Sequence, residues 1–268
     1  MEKAILSVQS PSEHKKIAEK LFLFRHNYKN FINGLGALGE FFAKIPSHEP
    51  VGQGQSVPYW SNIYLPPNDA IALCGFLVKY NPVIYMEIGS GNSTKFARSV
   101  ISHFNLRTKI ISIDPHPRAE IDSLCDEIVR DPLQMVPVSV FQSLCKDNIL
   151  FVDGSHRCLQ NSDVTYTFLQ VLPAVKPGVV LHFHDIFWPF DYPCDWAERL
   201  YNEQYLLAVF LLFGSGYEVL YSSRFVACDS ELRAEFEAAL QPFLSDKRLC
   251  EGGSFWMRLN SPISPAKT

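Results

Sequence analysis

The chain has 268 residues, 47% of them hydrophobic and 19% charged, with a formal net charge of −4. That apolar fraction suffices for a sizeable core and excludes a disordered chain, while 14 Gly and 18 Pro are too few for a low-complexity or collagen-like one. The length fits one large α/β domain with an appendage, or two domains. Mild acidity argues against a broad polyanion-binding surface, so no nucleic-acid partner is expected.

No apolar stretch approaches the roughly 18 residues that span a bilayer. The longest, Tyr205 to Phe213, is far too short, so no membrane association is expected. The opening MEKAILSVQSPSEHKK lacks the apolar core and small-residue cleavage site of a signal peptide. Seven cysteines without a CxxC pair read as free thiols in a reducing, cytoplasmic compartment.

Ile17, Leu21, Phe24, Tyr28, Phe31 and Ile32 recur at helical spacing, which predicts an amphipathic helix from about Ser12 to Ile32. Such a helix is a candidate contact for a homodimer. Residues 46–67 are rich in Gly, Pro, Gln and Ser and read as a long lid or binding loop, with Tyr59 and Trp60 as candidate substrate contacts. A helix then runs from Pro67 to Tyr80. Strands and helices alternate after it. The strands are Val83–Ile88, Lys109–Asp114, Glu127–Arg130, Asn148–Asp153, Val179–Asp185, Tyr217–Tyr221 and Phe255–Leu259. The helices are Ser93–Phe104, Ala119–Cys125, Asp163–Val175, Glu203–Phe213 and about Ser230–Phe243. This rhythm predicts βαβ units and a mostly parallel sheet covered on both faces.

The first strand runs through Glu87 and Ile88 into Gly89-Ser90-Gly91-Asn92-Ser93-Thr94 and straight into a helix. Glycines there let the backbone turn sharply and approach a ligand. The third glycine of the dinucleotide fingerprint is missing, because position 94 is Thr. Glu87 suits a ligand with an amino group better than a pyrophosphate. Asp114 ends the next strand, where a carboxylate can receive both hydroxyls of a ribose.

These residues, with the strand ending Val152-Asp153-Gly154-Ser155-His156, resemble the class I S-adenosylmethionine-dependent methyltransferases over roughly residues 67–260. The chain is most similar to the small-molecule branch with VDGSH after the fourth strand and HxHD-I at the fifth, which includes macrocin O-methyltransferase-like enzymes. The resemblance implies a Rossmann-like, seven-stranded, mostly parallel sheet with one antiparallel strand. It divides the chain into an N-terminal helical extension and lid, 1–66, and a methyltransferase domain, 67–268. It implies that Gly89, Ser90, Gly91, Ser93 and Thr94 approach the cofactor, with Glu87 beside its amino group. Asp114 would hold the ribose, Asp131 the adenine amine, and Asp153 would lie beside the reacting methyl group.

The fourth and fifth strands end in Asp153, Ser155 and His156, and in His182, His184 and Asp185. Period-2 alternation puts His182 and His184 on one face and Asp185 on the other, so all three converge only if the strand ends or bulges at 184. His184, Asp153 and Asp185 are the candidate catalytic residues. A histidine general base makes the rate rise with pH through about 6–7. Alternatively, Asp153, His184 and Asp185 hold Mg²⁺ and lower a hydroxyl pKa. Macrocin-type relatives place an Asp-Asp pair where this chain has His184-Asp185. His156 and the aromatic loop from Phe187 to Trp196, with Trp188 and Tyr192, are candidate contacts for a small-molecule or glycan acceptor. Competing readings are a cephalosporin hydroxylase-like protein that keeps the fold without transferring methyl, and a non-catalytic assembly module.

Overall fold

A computed structural model of the chain describes residues 13–50, 56–117, 120–244 and 249–260. Ser12, Ala119 and residues 51–55 of the lid loop lie outside them. The chain opens with α1 (Lys15–Phe22), α2 (Arg25–Leu35), α3 (Gly39–Ala43) and α4 (Pro67–Tyr80). It continues through β1 (Ile84–Ile88), α5 (Asn92–Phe104), β2 (Lys109–Ile113), β3 (Glu127–Val129), α6 (Val138–Gln142) and β4 (Ile149–Val152). Next come α7 (Asp163–Tyr166), α8 (Leu172–Ala174), β5 (Val180–Phe183), α9 (Glu203–Phe213) and β6 (Tyr217–Ser222). The last elements are α10 (Ser223–Cys228), α11 (Ser230–Leu240) and β7 (Phe255–Leu259).

The strands form one sheet in the order β3-β2-β1-β4-β5-β7-β6. All neighbours are parallel except β7, which runs antiparallel to both β5 and β6. The helices flank it. The seven-stranded sheet with a single antiparallel strand is the expected Rossmann-like architecture. The strands read as apolar runs because a parallel sheet is buried on both faces; β4 and β5 are buried at every position. Chain order reverses between β1 and β4, which opens a crevice beyond their carboxyl ends.

Two local differences from the sequence expectation have physical causes. The single helix expected over residues 12–32 is broken at Leu23-Phe24 into α1 and α2. The bend lets both apolar stripes face the same core, with α1 on α9 and α2 on α11 and β6. Ile17, Leu21, Tyr28, Phe31 and Ile32 are all buried there. That apolar stripe packs inside the chain, while Phe22 and Leu23 of the same segment are exposed large apolar residues. Arg25 locks the arrangement by forking onto Asp229, with Nε–Oδ2 at 2.8 Å and Nη2–Oδ1 at 3.0 Å. The helix expected over 163–175 holds a π-helical segment, Thr167–Val171, between α7 and α8. Pro173 just beyond it has no N–H to give to a regular α ladder. Among the described residues no helix is long and apolar enough to cross a membrane.

Candidate active site at the carboxyl ends of β1, β4 and β5

The turn after β1 is built from beneath. Gly89 has φ +82°, and a Cβ there would lie 1.9 Å from the carbonyl oxygen of Asp153, so only glycine fits. Gly91 is different: its backbone is extended and a Cβ would meet nothing within 4 Å. Glu87 is fully buried, and its two oxygens accept the hydroxyls of Tyr85 and Thr94, each at 2.5 Å. Burial pushes its carboxyl up to about 7, against the pull of the Thr94 and Tyr85 hydrogen bonds. Glu87, Ser93 and Thr94 thus brace the turn from inside and are absent from the cleft wall, where the sequence placed them. Only Gly89 and Ser90 of the turn reach the cleft.

Asp114 does line it. Its Oδ2 accepts the Ser90 N–H at 2.9 Å and its Oδ1 the His116 N–H at 2.8 Å, so the carboxylate joins the end of β2 to the turn. Asp131 is exposed and lies outside the cleft; Pro132, Leu133 and Gln134 form that wall instead.

The polar cluster lies across the same cleft. β5 ends at Phe183, and Asp185 takes a left-handed backbone with φ +55°. That turn brings its side chain round to His184, which resolves the alternation problem. Asp153 Oδ1 faces His156 Nε2 at 3.2 Å and His184 Nδ1 at 3.5 Å. Asp185 faces the same two nitrogens at 3.4 and 3.5 Å. The far nitrogen of each ring meets a second, buried carboxylate. His184 Nε2 lies 3.3 Å from Asp69 Oδ2, and His156 Nδ1 lies 2.9 Å from Glu203 Oε2. Two imidazoles are therefore each clamped between a buried acid and the Asp153–Asp185 pair.

Burial opposes charge on His184, but the Asp153 and Asp185 carboxylates outweigh it and hold the imidazolium well above the ordinary histidine range. For His156 burial likewise opposes, and the hydrogen bonds to Asp153 and Glu203 prevail, raising it well above. Asp153 pays burial's penalty too, yet the two imidazolium groups drive its carboxyl far below the usual range. Asp185 differs: burial wins over His184 and His156, so its proton affinity is raised. His182 is a separate case. It is buried, stacked 3.8 Å from Phe151, and bonded through Nε2 to Ser254 Oγ at 2.8 Å. Burial and the His184 charge push it well below the ordinary value, which leaves it a neutral packing residue.

The donor set does not fit Mg²⁺. Asp153 Oδ1 and both oxygens of Asp185 turn onto imidazole nitrogens, whereas a hard cation takes six oxygen ligands around one point. Among the described residues no group of three or more His, Cys, Asp or Glu is arranged to hold a metal ion.

Several expected acceptor contacts sit elsewhere. Trp188 is 2% exposed, donates Nε1–H to the Gln204 carbonyl at 2.9 Å and packs edge-on against His14 and Tyr205. Tyr192 accepts the Gln204 N–H, packs edge-on against Phe187 and is outside the cleft wall. Trp60 packs on Phe42 and Phe96, and Tyr59 is likewise outside the cleft wall. The lid loop and the aromatic loop do reach the cleft, but through Ile63, Tyr64, Phe187 and Trp196, joined by Tyr201. Asp69 and Glu203 were not anticipated as site residues. Each is an acid in a helix's first turn, a position that ordinarily reads as a dipole complement and carries no separate signal.

Residues 86–186, less than half of the chain, match the family described as a methyltransferase domain. The matched span runs from within β1 to just past β5 and takes in the glycine turn, Asp114, Asp153, His184 and Asp185. Among solved structures the chain is similar to coclaurine N-methyltransferase bound to N-methylheliamine and SAH, at 9% identity over 91% of this chain and 90% of that chain. The TM-score is 0.33, a likeness that carries no functional weight. No curated protein matches the chain.

Proposed function

We propose that the chain is an S-adenosylmethionine-dependent methyltransferase that methylates a hydroxyl of a small molecule or glycan. The observation that carries the reading is one cleft of about 1130 Å³ lined by Gly89, Ser90 and Asp114 and also by Asp153, His156, His184 and Asp185. A cofactor-binding wall and an acid–base cluster thus share a space large enough for two small molecules.

The cofactor, when bound, supplies an electrophilic sulfonium methyl. The rest falls to the chain's own residues. The backbone at Gly89 allows close approach, Asp114 faces the ribose hydroxyls, and Pro132, Leu133 and Gln134 offer a wall to the adenine. The acceptor hydroxyl must be aligned and relieved of its proton. With both imidazoles charged and their nitrogens turned to carboxylates, neither offers a free lone pair near neutral pH. Asp185, whose proton affinity is raised, is the proton acceptor in this reading. His184 and His156 are positioning residues that hold Asp185 and Asp153 in place. This revises the expectation of a His184 base working near pH 6–7.

The test is incubation with S-adenosylmethionine and a panel of hydroxylated small molecules and glycans. The reading expects release of S-adenosylhomocysteine coupled to a product heavier by one methyl group. A chain that binds the cofactor but methylates no hydroxyl, and instead methylates an amine, would overturn the O-methyl assignment.

A further inference from the structure

Among the described residues, seven of nine arginines donate a guanidinium hydrogen bond to a protein oxygen. The two that do not are Arg199 and Arg224, and both line the cleft. Among the described residues neither forms an ion pair with a carboxylate. Arg224 is half-buried, follows β6, and carries a buried Nε without any partner; its guanidinium carbon lies 5.5 Å from the Phe190 ring centre. The guanidinium carbon of Arg199 lies 3.7 Å from the Trp196 ring centre and 5.7 Å from that of Tyr201. Contact with an aromatic ring restrains a guanidinium while leaving N–H groups free to donate.

An arginine held in a cleft without an acid is a receptor for an oxyanion. The anion in question belongs to the acceptor and not to the cofactor. Arg199 follows β5 and Arg224 follows β6, on the half of the sheet opposite β1 and β2, which carry Gly89, Ser90 and Asp114. The other charged lining on the acceptor side includes Asp153, Asp163, Asp185 and Glu251, and the imidazoles of His156 and His184 are already paired with carboxylates, so the two arginines are the cations left open to an anionic group. Phe187, Trp196 and Tyr201 offer ring faces beside them.

We propose that the acceptor carries an oxyanionic group, a carboxylate or a phosphate, on a cyclic frame, and that Arg199 and Arg224 hold this group while the hydroxyl points to Asp185. The inference rests on the methyltransferase reading of the same cleft.

The test uses the full chain saturated with S-adenosylhomocysteine, with benzoate, phenyl phosphate and benzyl alcohol as probes in ligand-observed NMR titrations. At least one of the two anions should bind more tightly than benzyl alcohol. That preference should fall about tenfold in Arg199→Gln and in Arg224→Gln, the loss of roughly one charge-assisted hydrogen bond. The preferred anion separates a carboxylate site from a phosphate site. Equal binding of all three probes, or anion binding unchanged in both variants, overturns the proposal. Titration of S-adenosylhomocysteine into the same protein before it is saturated keeps the two readings apart. Absence of that binding in the wild type would count against the methyltransferase reading, whereas intact binding without anion preference would count against the arginine site alone.

Discussion

Asp69 Oδ2 stands 3.3 Å from His184 Nε2, and the same carboxylate accepts the N–H groups of Gly253 and Ser254, each at 2.8 Å. A residue in the first turn of α4 is thereby tied both to the approach to β7 and to the ring at the end of β5. Gly252 makes room for it, since a Cβ there would lie 2.3 Å from Asp69 Oδ1. Replacing Asp69 by Asn removes one partner of a buried charge pair and should destabilise the fold by about 3 kcal/mol in denaturant unfolding. The sign with pH follows from the raised histidine. Its stabilisation is complete below the ordinary histidine value and is lost as pH rises through the raised folded value. Asp69→Asn should bring that loss to lower pH. Unchanged stability and an unchanged alkaline limb would mean that the contact carries no charge.

Asp185 and His184 separate two kinds of contribution. Asp185→Asn should lower turnover by about 10²–10⁴, the usual range for an acid–base group, with cofactor affinity nearly intact. In the wild type the rate should fall on acidification through a pH above the ordinary carboxylate range, because burial raises Asp185. His184→Gln keeps a hydrogen-bonding side chain but no charge, and should move this acidic limb further up by removing a cation that favours the carboxylate. A His184→Gln enzyme with full turnover and an unmoved profile would show that the ring does not position Asp185.

Asp114 accepts two backbone N–H groups and also lines the cleft. Asp114→Ala should weaken S-adenosylmethionine binding by about 1.5–3 kcal/mol in calorimetry, the scale of hydrogen bonds to a charged group. Unaltered affinity in a folded variant would remove Asp114 from the ribose site.

Glu87 makes a prediction about stability alone. In the folded chain its carboxyl holds a proton up to about pH 7, well above the ordinary glutamate value. Between those two values the folded state binds more protons than the unfolded one, so stability falls as pH rises. Glu87→Gln, which cannot ionise, should flatten that part of the stability–pH curve. A variant with the same slope would place the titrating group elsewhere.

The sequence showed the sheet because each strand is a short apolar run between helical segments, and because the glycine turn after Glu87 marks the first βα junction. It also singled out Asp153, His184 and Asp185 as candidates, since they sit at strand ends where ligands meet parallel sheets. It did not show how they converge, because the left-handed turn at Asp185 breaks the two-residue alternation. Trp188 and Trp60 were misplaced for a simple reason: composition reveals that a loop is aromatic, but not which rings it turns inward to bury. Arg199 and Arg224 were silent for the opposite reason, since what marks them is the missing acid partner, and that is visible only in three dimensions.

The central claim is that one cleft binds S-adenosylmethionine and presents an acceptor to Asp185. Calorimetric titration of S-adenosylmethionine into the wild-type chain, with Asp114→Ala and Asp185→Asn titrated alongside, tests it most directly. The account predicts one site per chain in the wild type, weakened in Asp114→Ala and preserved in Asp185→Asn. Absence of any binding by the folded wild type, or equal affinity in the wild type and Asp114→Ala, would contradict it.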